Sequence, residues 1–328
     1  MSSIKVAILG FGTVGEGIYR ILNERKEDIQ QETGHTIDIV SILVRDTSKE
    51  RLATPETKFT DDVQEILSNP AIDVIFEAIV GEEPAFRYLT EAIDKGIHVI
   101  TANKTMFAKR GQELARHAES RDVQARYEAT TAGGVPIIRT ITSLLPADRV
   151  RRIRGILNGT SNFILTKMRE EEVSFEVALK EAQALGYAEA DPTDDIGGKD
   201  AFRKLMILSG LAFGSQPDWQ DVPIVGIDEV TIEGVKDAAA GNLRYRHVAD
   251  IIVDDSGMLS GSVGPVLIGA DHPLYSVDGV DNAIIVDTDH LGSLTLIGPG
   301  AGMYPTGSAM VGDFLQIIGK RQAVVVTS

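Results

Sequence analysis

The chain has no cysteine in its 328 residues, which excludes a disulfide framework, a thiolate nucleophile and any cysteine-ligated metal cluster. The absence leaves folding compatible with any redox compartment. No apolar run approaches the roughly 20 residues of a membrane-spanning helix. Met1-Ser2-Ser3-Ile4-Lys5 leads straight into an apolar strand, with no charged and then hydrophobic leader. These features predict a soluble cytoplasmic protein. Positive charge is also scarce: 32 basic residues against 48 acidic ones give a net charge of −16, which argues against a nucleic acid or an anionic membrane as the main partner. His35, His98, His117, His247, His272 and His290 are scattered without metal-ligand spacing, so zinc chemistry is not expected. Neither a GxSxG elbow nor a Walker lysine is present, which removes the motif basis for hydrolase and phosphoryl-transfer readings.

What is present points to an α/β protein. An apolar content of 43% supports a sizeable core, and the length allows two domains. Strands are predicted at Lys5–Leu9, Ile37–Val44, Asp73–Ile79, His98–Thr101 and Gln124–Tyr127, alternating with helical patterns. Val14, Ile18, Ile21 and Leu22 mark one amphipathic helix, and Pro84 opens another that Gly96 stops. This is the pattern of a Rossmann-type, doubly wound parallel sheet. After Thr130-Thr131-Ala132-Gly133-Gly134-Val135-Pro136 the pattern changes, with helices near Ile137–Leu144, Asn162–Arg169 and Phe175–Leu185 and a charged strand in Val150–Leu157. Short strands follow at Tyr245–Val253, Leu259–Val266, Asn282–Asp287 and Ser293–Ile297, predicting a second, α+β domain with an antiparallel or mixed sheet. The expected division is 1–133 for the dinucleotide domain and 134–304 for a catalytic and dimerisation domain. A last helix, about 305–320, is expected to pack back on the first.

Gly10-Phe11-Gly12-Thr13-Val14-Gly15 follows the first strand and opens the first helix. Glycines there permit a tight turn and close approach to a pyrophosphate at the helix N-terminus; a ligand-free glycine turn is the competing reading. Arg45, at the end of the second strand, stands where NAD-preferring sites more often carry an acid. Arginine pairs well with a 2′-phosphate, so NADP is favoured over NAD, while a plain surface charge is the other explanation.

A second candidate site surrounds Lys204. In a helix beginning near Lys199, Lys204 has Asp200, Ala201, Ile207 and Leu208 one turn away on either side. Apolar neighbours oppose an ammonium and a close carboxylate favours it, a balance suited to proton transfer. Glu189, Asp191, Asp194, Asp195 and Asp200 cluster nearby, and Asn158-Gly159-Thr160-Ser161-Asn162 starts a helix. The acids read either as holders of an amino group or as a solvated turn. The Asn158 segment, with Gly159 and Thr160, reads either as a carboxylate-binding turn or as an ordinary helix cap.

Together with Thr101-Ala102-Asn103-Lys104, Tyr127-Glu128-Ala129-Thr130 and Gly298-Pro299-Gly300-Ala301-Gly302, these motifs resemble the homoserine dehydrogenases over essentially the whole chain. The Asp191–Lys204 block is the most specific of them. The resemblance implies reversible NAD(P)-dependent interconversion of L-homoserine and L-aspartate 4-semialdehyde. It implies Lys204 as acid/base, Lys104 beside nicotinamide and substrate, and Glu189, Asp195 and Asp200 as substrate-holding acids, with Asp200 also orienting Lys204. Gly302 is implied near the nicotinamide ribose, although a plain turn also explains its loop. A monovalent cation, commonly sodium, is implied at Glu128, Thr131, Gly133 and Val135; a hinge between domains is the alternative reading of those residues. A homodimer or homotetramer is implied as well. Longer relatives append a regulatory ligand-binding domain or an aspartate kinase module; this chain stops soon after Lys320, so threonine inhibition through such a domain is not expected. The competing functions are another amino-acid or semialdehyde dehydrogenase on the same plan, and a non-catalytic dinucleotide sensor.

Overall fold

The computed structural model describes residues 2–51, 53–54 and 56–319. Two compact units divide the chain: one comprises the residues up to Ala129 together with those from Gly302 onward, the other Thr130–Ala301. Thr131 and Gly133, placed by the sequence reading in the first domain, therefore belong to the second unit, and the residues from Gly302 belong to the first.

The first unit runs β1 (Ser2–Leu9), α1 (Thr13–Glu24), α2 (Lys26–Thr33), β2 (His35–Leu43), β3 (Lys58–Thr60), α3 (Val63–Leu67), β4 (Val74–Glu77), α4 (Ala85–Asp94), β5 (His98–Thr101), α5 (Lys104–Ser120) and β6 (Ala125–Arg126). Its six strands lie in the order β3-β2-β1-β4-β5-β6, with every neighbouring pair parallel. This is the doubly wound arrangement expected, with its topological switch between β1 and β4. Val6, Ala7, Ile8 and Leu9 are fully buried, as a central parallel strand covered on both faces requires. The sequence reading missed α2, β3, α3 and α5. In α2 only Ile29 and Thr33 are buried, so it has no apolar stripe to detect, and β3 spans just three residues.

The second unit contains α6 (Ile137–Leu144), β7 (Val150–Ile156), α7 (Gly159–Glu171), α8 (Phe175–Ala184), α9 (Thr193–Ile196), α10 (Lys199–Phe213), α11 (Ile232–Ala240), β8 (Leu243–Val253), β9 (Leu259–Gly269), β10 (Asp281–Thr288) and β11 (Ser293–Pro299). Its five-stranded sheet has the order β11-β10-β7-β8-β9, and each neighbouring pair is antiparallel. Phe163, Ile164, Leu165 and Met168 of α7 share a core with Ala178 and Ala182 of α8 and with Val235 of α11. The sheet keeps apolar side chains at the surface as well, among them Ile252, Val266 and Leu267.

The last described helix, α12 (Met303–Ile318), packs on α1 of the first unit. Its approach is close because Gly17 of α1 lies against Met303, where an added Cβ would come within 2.4 Å of the Met303 carbonyl oxygen. Phe314 adds a ring contact with Phe76 at 5.5 Å between centroids. The expected end of this helix at 320 lies outside the described residues.

Candidate active site

In the first unit the glycine loop is built by backbone proximity. Gly10 has φ +96°, and a Cβ on it would sit 2.7 Å from the Ala78 carbonyl oxygen; one on Gly15 would sit 2.0 Å from the Gly10 oxygen. Only glycine satisfies both constraints. Gly12, by contrast, faces open space and caps α1 without a side-chain hydrogen bond. The first-turn N–H groups of a helix have no intrahelical partner, so Gly12, Thr13 and Val14 border a ready anion cradle of the kind a pyrophosphate fills. Phe11 packs edge-on against Tyr19 and Phe59, with centroids 5.7 and 5.6 Å away, which anchors the loop.

Arg45 is exposed just beyond β2. Its neighbour Asp46 is committed locally, accepting from the Ser48 backbone N–H at 2.9 Å and hydroxyl at 2.6 Å, and these bonds hold its carboxyl below the ordinary range. Lys104 is the first residue of α5, half-buried and preceded by the capping residue Asn103, which accepts from the Met106 N–H at 3.0 Å. An ammonium at the positive end of a helix dipole works against stability.

In the second unit Lys204 is 7% exposed and Asp200 2%. The helical spacing brings Lys204 Nζ within 2.8 Å of Asp200 Oδ2, and the ammonium also donates to the Leu157 carbonyl at 2.6 Å. Ala201, Ile207 and Leu208 are buried around it, as the periodicity predicts. Asn158, at the N-cap of α7, organises the acids. Its side-chain nitrogen donates to Asp195 Oδ1 at 2.8 Å and to Asp200 Oδ2 at 3.0 Å, while its oxygen accepts from the Ser161 N–H at 2.8 Å. Asn282 donates to the same Leu157 carbonyl at 3.1 Å. Thr160 gives its hydroxyl to the Tyr187 carbonyl at 2.6 Å, with Asp195 Oδ2 3.4 Å away. Gly159 lies against Val280, where a Cβ would come 2.5 Å from the carbonyl oxygen.

The acidic stretch thus divides. Asp195 and Asp200 converge on Asn158, whereas Asp191 closes a turn on Thr193 and Asp194 pairs with Arg203 at 2.5 Å. Glu189 is exposed, and its backbone carbonyl accepts from Gln183 at 3.2 Å. Sequence reasoning saw Asn158 as part of a turn or a helix cap, and it does cap α7, but its bonds to the acids were not foreseen, and Leu157 and Asn282 were missed. A backbone carbonyl leaves no sequence signal, and Asn282 lies 125 residues from Leu157.

Glu128 is buried, and its N–H donates to Asp313 Oδ2 at 2.8 Å within the first unit. In the second unit Thr131 is buried with no hydrogen-bond partner for its hydroxyl among the described residues. Gly133 approaches Gly300, the Gly134 N–H donates to the Pro299 carbonyl at 2.9 Å, and the Val135 N–H to Ala132 at 2.9 Å. Gly302 caps α12 with φ 126°. Among the described residues no group of three or more His, Cys, Asp or Glu side chains is placed to hold a metal ion. No described helix is long and apolar enough to cross a membrane.

Comparison with known proteins identifies the family of the chain. A family model described as "Homoserine dehydrogenase" matches residues 136–315, and one described as "Homoserine dehydrogenase, NAD binding domain" matches residues 10–128. The homoserine dehydrogenase of Bacillus subtilis is 38% identical over 97% of this chain and 73% of its own length. That of Pseudomonas aeruginosa is 40% identical over the same shares. Among solved structures, a homoserine dehydrogenase from Thiobacillus denitrificans superposes with a TM-score of 0.91 at 40% identity, covering 96% of this chain and 73% of that one. A hyperthermophilic archaeal homoserine dehydrogenase in complex with NADPH gives 0.82 at 29% identity, covering 96% and 97%. The chain belongs to the homoserine dehydrogenase family, oxidoreductases of amino-acid biosynthesis that carry an NAD-binding domain.

Proposed function

We propose that the chain interconverts L-aspartate 4-semialdehyde and L-homoserine through acid/base catalysis by Lys204, with NADP preferred to NAD. The observation that carries this reading is the burial of Lys204 between Asp200 and the Leu157 carbonyl, which fixes the direction of its N–H bonds. When bound, the nicotinamide supplies or accepts the hydride. In the reducing direction Lys204 gives a proton to the aldehyde oxygen as negative charge develops there; in the oxidising direction the neutral amine takes the hydroxyl proton. A positive donor within about 3 Å of the nascent alkoxide is the arrangement this chemistry needs. Asp200 orients Lys204, and Asp195 and Glu189 hold the substrate's amino group, with Gly159 and Thr160 at the helix start. Lys104 supports the transfer from the cofactor-binding unit.

The glycine loop fits a dinucleotide, because Gly12 leaves the α1 N-terminus open while Gly10 and Gly15 let the backbone close tightly beneath it. Arg45, with Asp46 engaged elsewhere, supports the NADP preference, as does the NADPH-bound relative. Gly302 is proposed at the cofactor. A monovalent cation, sodium by resemblance, is proposed for the Glu128 region and the backbone carbonyls of Thr131, Gly133 and Val135, hard oxygen ligands that suit such an ion. A cytoplasmic homodimer or homotetramer, joined through the five-stranded sheet, completes the proposal, supported by the exposed Ile252, Val266 and Leu267. The test follows the absorbance of reduced nicotinamide with homoserine, using NADP and NAD separately. Turnover with NADP exceeding that with NAD is expected, and no turnover with either over a broad pH range overturns the reading.

A further inference from the structure

At the C-terminal ends of β4 and β5 lies a hydrogen-bonded cluster that the acid/base machinery does not use. Glu77, the last residue of β4, is fully buried, as is Thr101, the last residue of β5. The Thr101 hydroxyl donates to Glu77 Oε2 at 2.5 Å, and the Ile79 N–H donates to Glu77 Oε1 at 2.6 Å. Thr101 Oγ1 in turn accepts from the Asn103 N–H at 2.9 Å. The Asn103 side chain donates to the carbonyls of Ile79 at 3.0 Å and Gly81 at 2.6 Å, and its oxygen caps α5 through Met106. The bonds from Thr101 to Glu77 and from Asn103 to Ile79 and Gly81 join the two loops, and the chain of contacts ends at the residue before Lys104. The same β4 loop meets the glycine fingerprint, since Ala78 donates its N–H to Leu9 at 2.8 Å and its carbonyl borders Gly10.

A surface turn does not need a fully buried carboxylate. Burial raises the Glu77 carboxyl to about 7, with the bonds from Thr101, Ile79 and Asn103 opposing that shift, so retaining it is costly to the fold. An apolar residue would close two strand ends without that cost, whereas a carboxylate with two oriented acceptor oxygens sets the angle of both loops at once.

We infer that Glu77 and Thr101 are positioning residues for the proposed hydride-transfer step, acting through Asn103 to set where Lys104 stands. The inference rests on the proposed role of Lys104, and the experiment separates the two. Thr101→Val removes the hydroxyl that joins Glu77 to Asn103 while keeping the side chain's size, Thr101→Ser restores it, and Glu77→Gln exchanges one acceptor oxygen for a donor. For each variant kcat and KM are measured with homoserine, dinucleotide affinity is followed by cofactor fluorescence, and unfolding midpoints are recorded. The same substitutions are then repeated in a Lys104→Ala background.

Thr101→Val and Glu77→Gln are expected to lower kcat by on the order of 10- to 100-fold, the scale of a displacement of about 1 Å in a reacting group. Dinucleotide affinity should stay within about threefold, and Thr101→Ser should recover most of the loss. In the Lys104→Ala background the further loss should shrink to about twofold, because residues acting through one group are not additive. If Thr101→Val and Glu77→Gln keep kcat while Lys104→Ala loses it, the positioning inference fails alone. If Lys104→Ala keeps kcat, the reading of Lys104 fails and takes the inference with it. Equal losses with and without Lys104 assign the cluster to fold maintenance and overturn the inference. Should Thr101→Val not fold, the Glu77→Gln cycle with Lys104→Ala decides the same question.

Discussion

The strand ends that precede Lys104 and the helix that carries Lys204 each bury a carboxylate, and they stabilise it differently. Asp200 has a cation 2.8 Å away and an asparagine N–H at 3.0 Å, so its charge is compensated within the site. Glu77 has a hydroxyl and a backbone N–H, and among the described residues no cation pairs with it. The physical consequence is that the Asp200 site is an ion pair whose loss leaves a charge stranded, whereas Glu77 takes up a proton near neutrality. One arrangement holds a buried ammonium against a carboxylate. The other fixes backbone geometry and is free to titrate.

The sharpest way to break the comparison is Lys204→Ala. It should lower kcat by about 10²–10⁴-fold, the usual contribution of a placed general acid, with dinucleotide affinity retained. Near-normal turnover would remove Lys204 from the reaction. Asp200→Asn should cost about 3–5 kcal/mol of stability in denaturant unfolding, because it strands a buried ammonium; a cost below about 1 kcal/mol, the scale of an exposed pair, would show that the pair is not desolvated.

Glu77 predicts a pH effect of the opposite character. Its carboxyl is raised from 4.5 to about 7 in the folded protein, with burial the largest cause, so the native state holds a proton there that the unfolded chain releases. The stabilising contribution is complete below about pH 4.5 and is lost as pH rises through 7, by about 3 kcal/mol in all. Unfolding free energies measured across that window should fall less steeply in Glu77→Gln than in the parent. Parallel curves would show that Glu77 does not titrate there. The smallest effect is expected at Asn158, which serves both acids and α7. Asn158→Ala should lower stability by about 1–2 kcal/mol through the lost cap and raise KM for homoserine more than it lowers kcat. A pure kcat effect would place Asn158 nearer the proton transfer than its contacts suggest.

Local interactions were legible in advance where a short stretch of chain contains both partners. The Asp200–Lys204 pair follows from helical spacing alone, and the glycine loop from its position between an apolar strand and an amphipathic helix. β5 was expected at its observed limits, His98–Thr101, after the helix that Gly96 stops. Spacing alone left the acidic cluster open between holders of an amino group and a solvated turn, since proximity along the chain says nothing about which carboxylates a loop turns inward. Asp194 and Asp195 are adjacent, yet one pairs with Arg203 at the surface and the other meets Asn158.

The sequence by itself determined the two-unit α/β plan, the dinucleotide loop and the pairing of a lysine with a carboxylate one helical turn away. These depend on periodicity and on steric limits that act over a few residues. Only the tertiary structure decided that Asn158 gathers Asp195 and Asp200, that Leu157 and Asn282 complete the seat of Lys204, and that Glu77 is buried against Thr101. Those contacts join residues 24 to 125 positions apart, and strand order, not local preference, sets which of them meet.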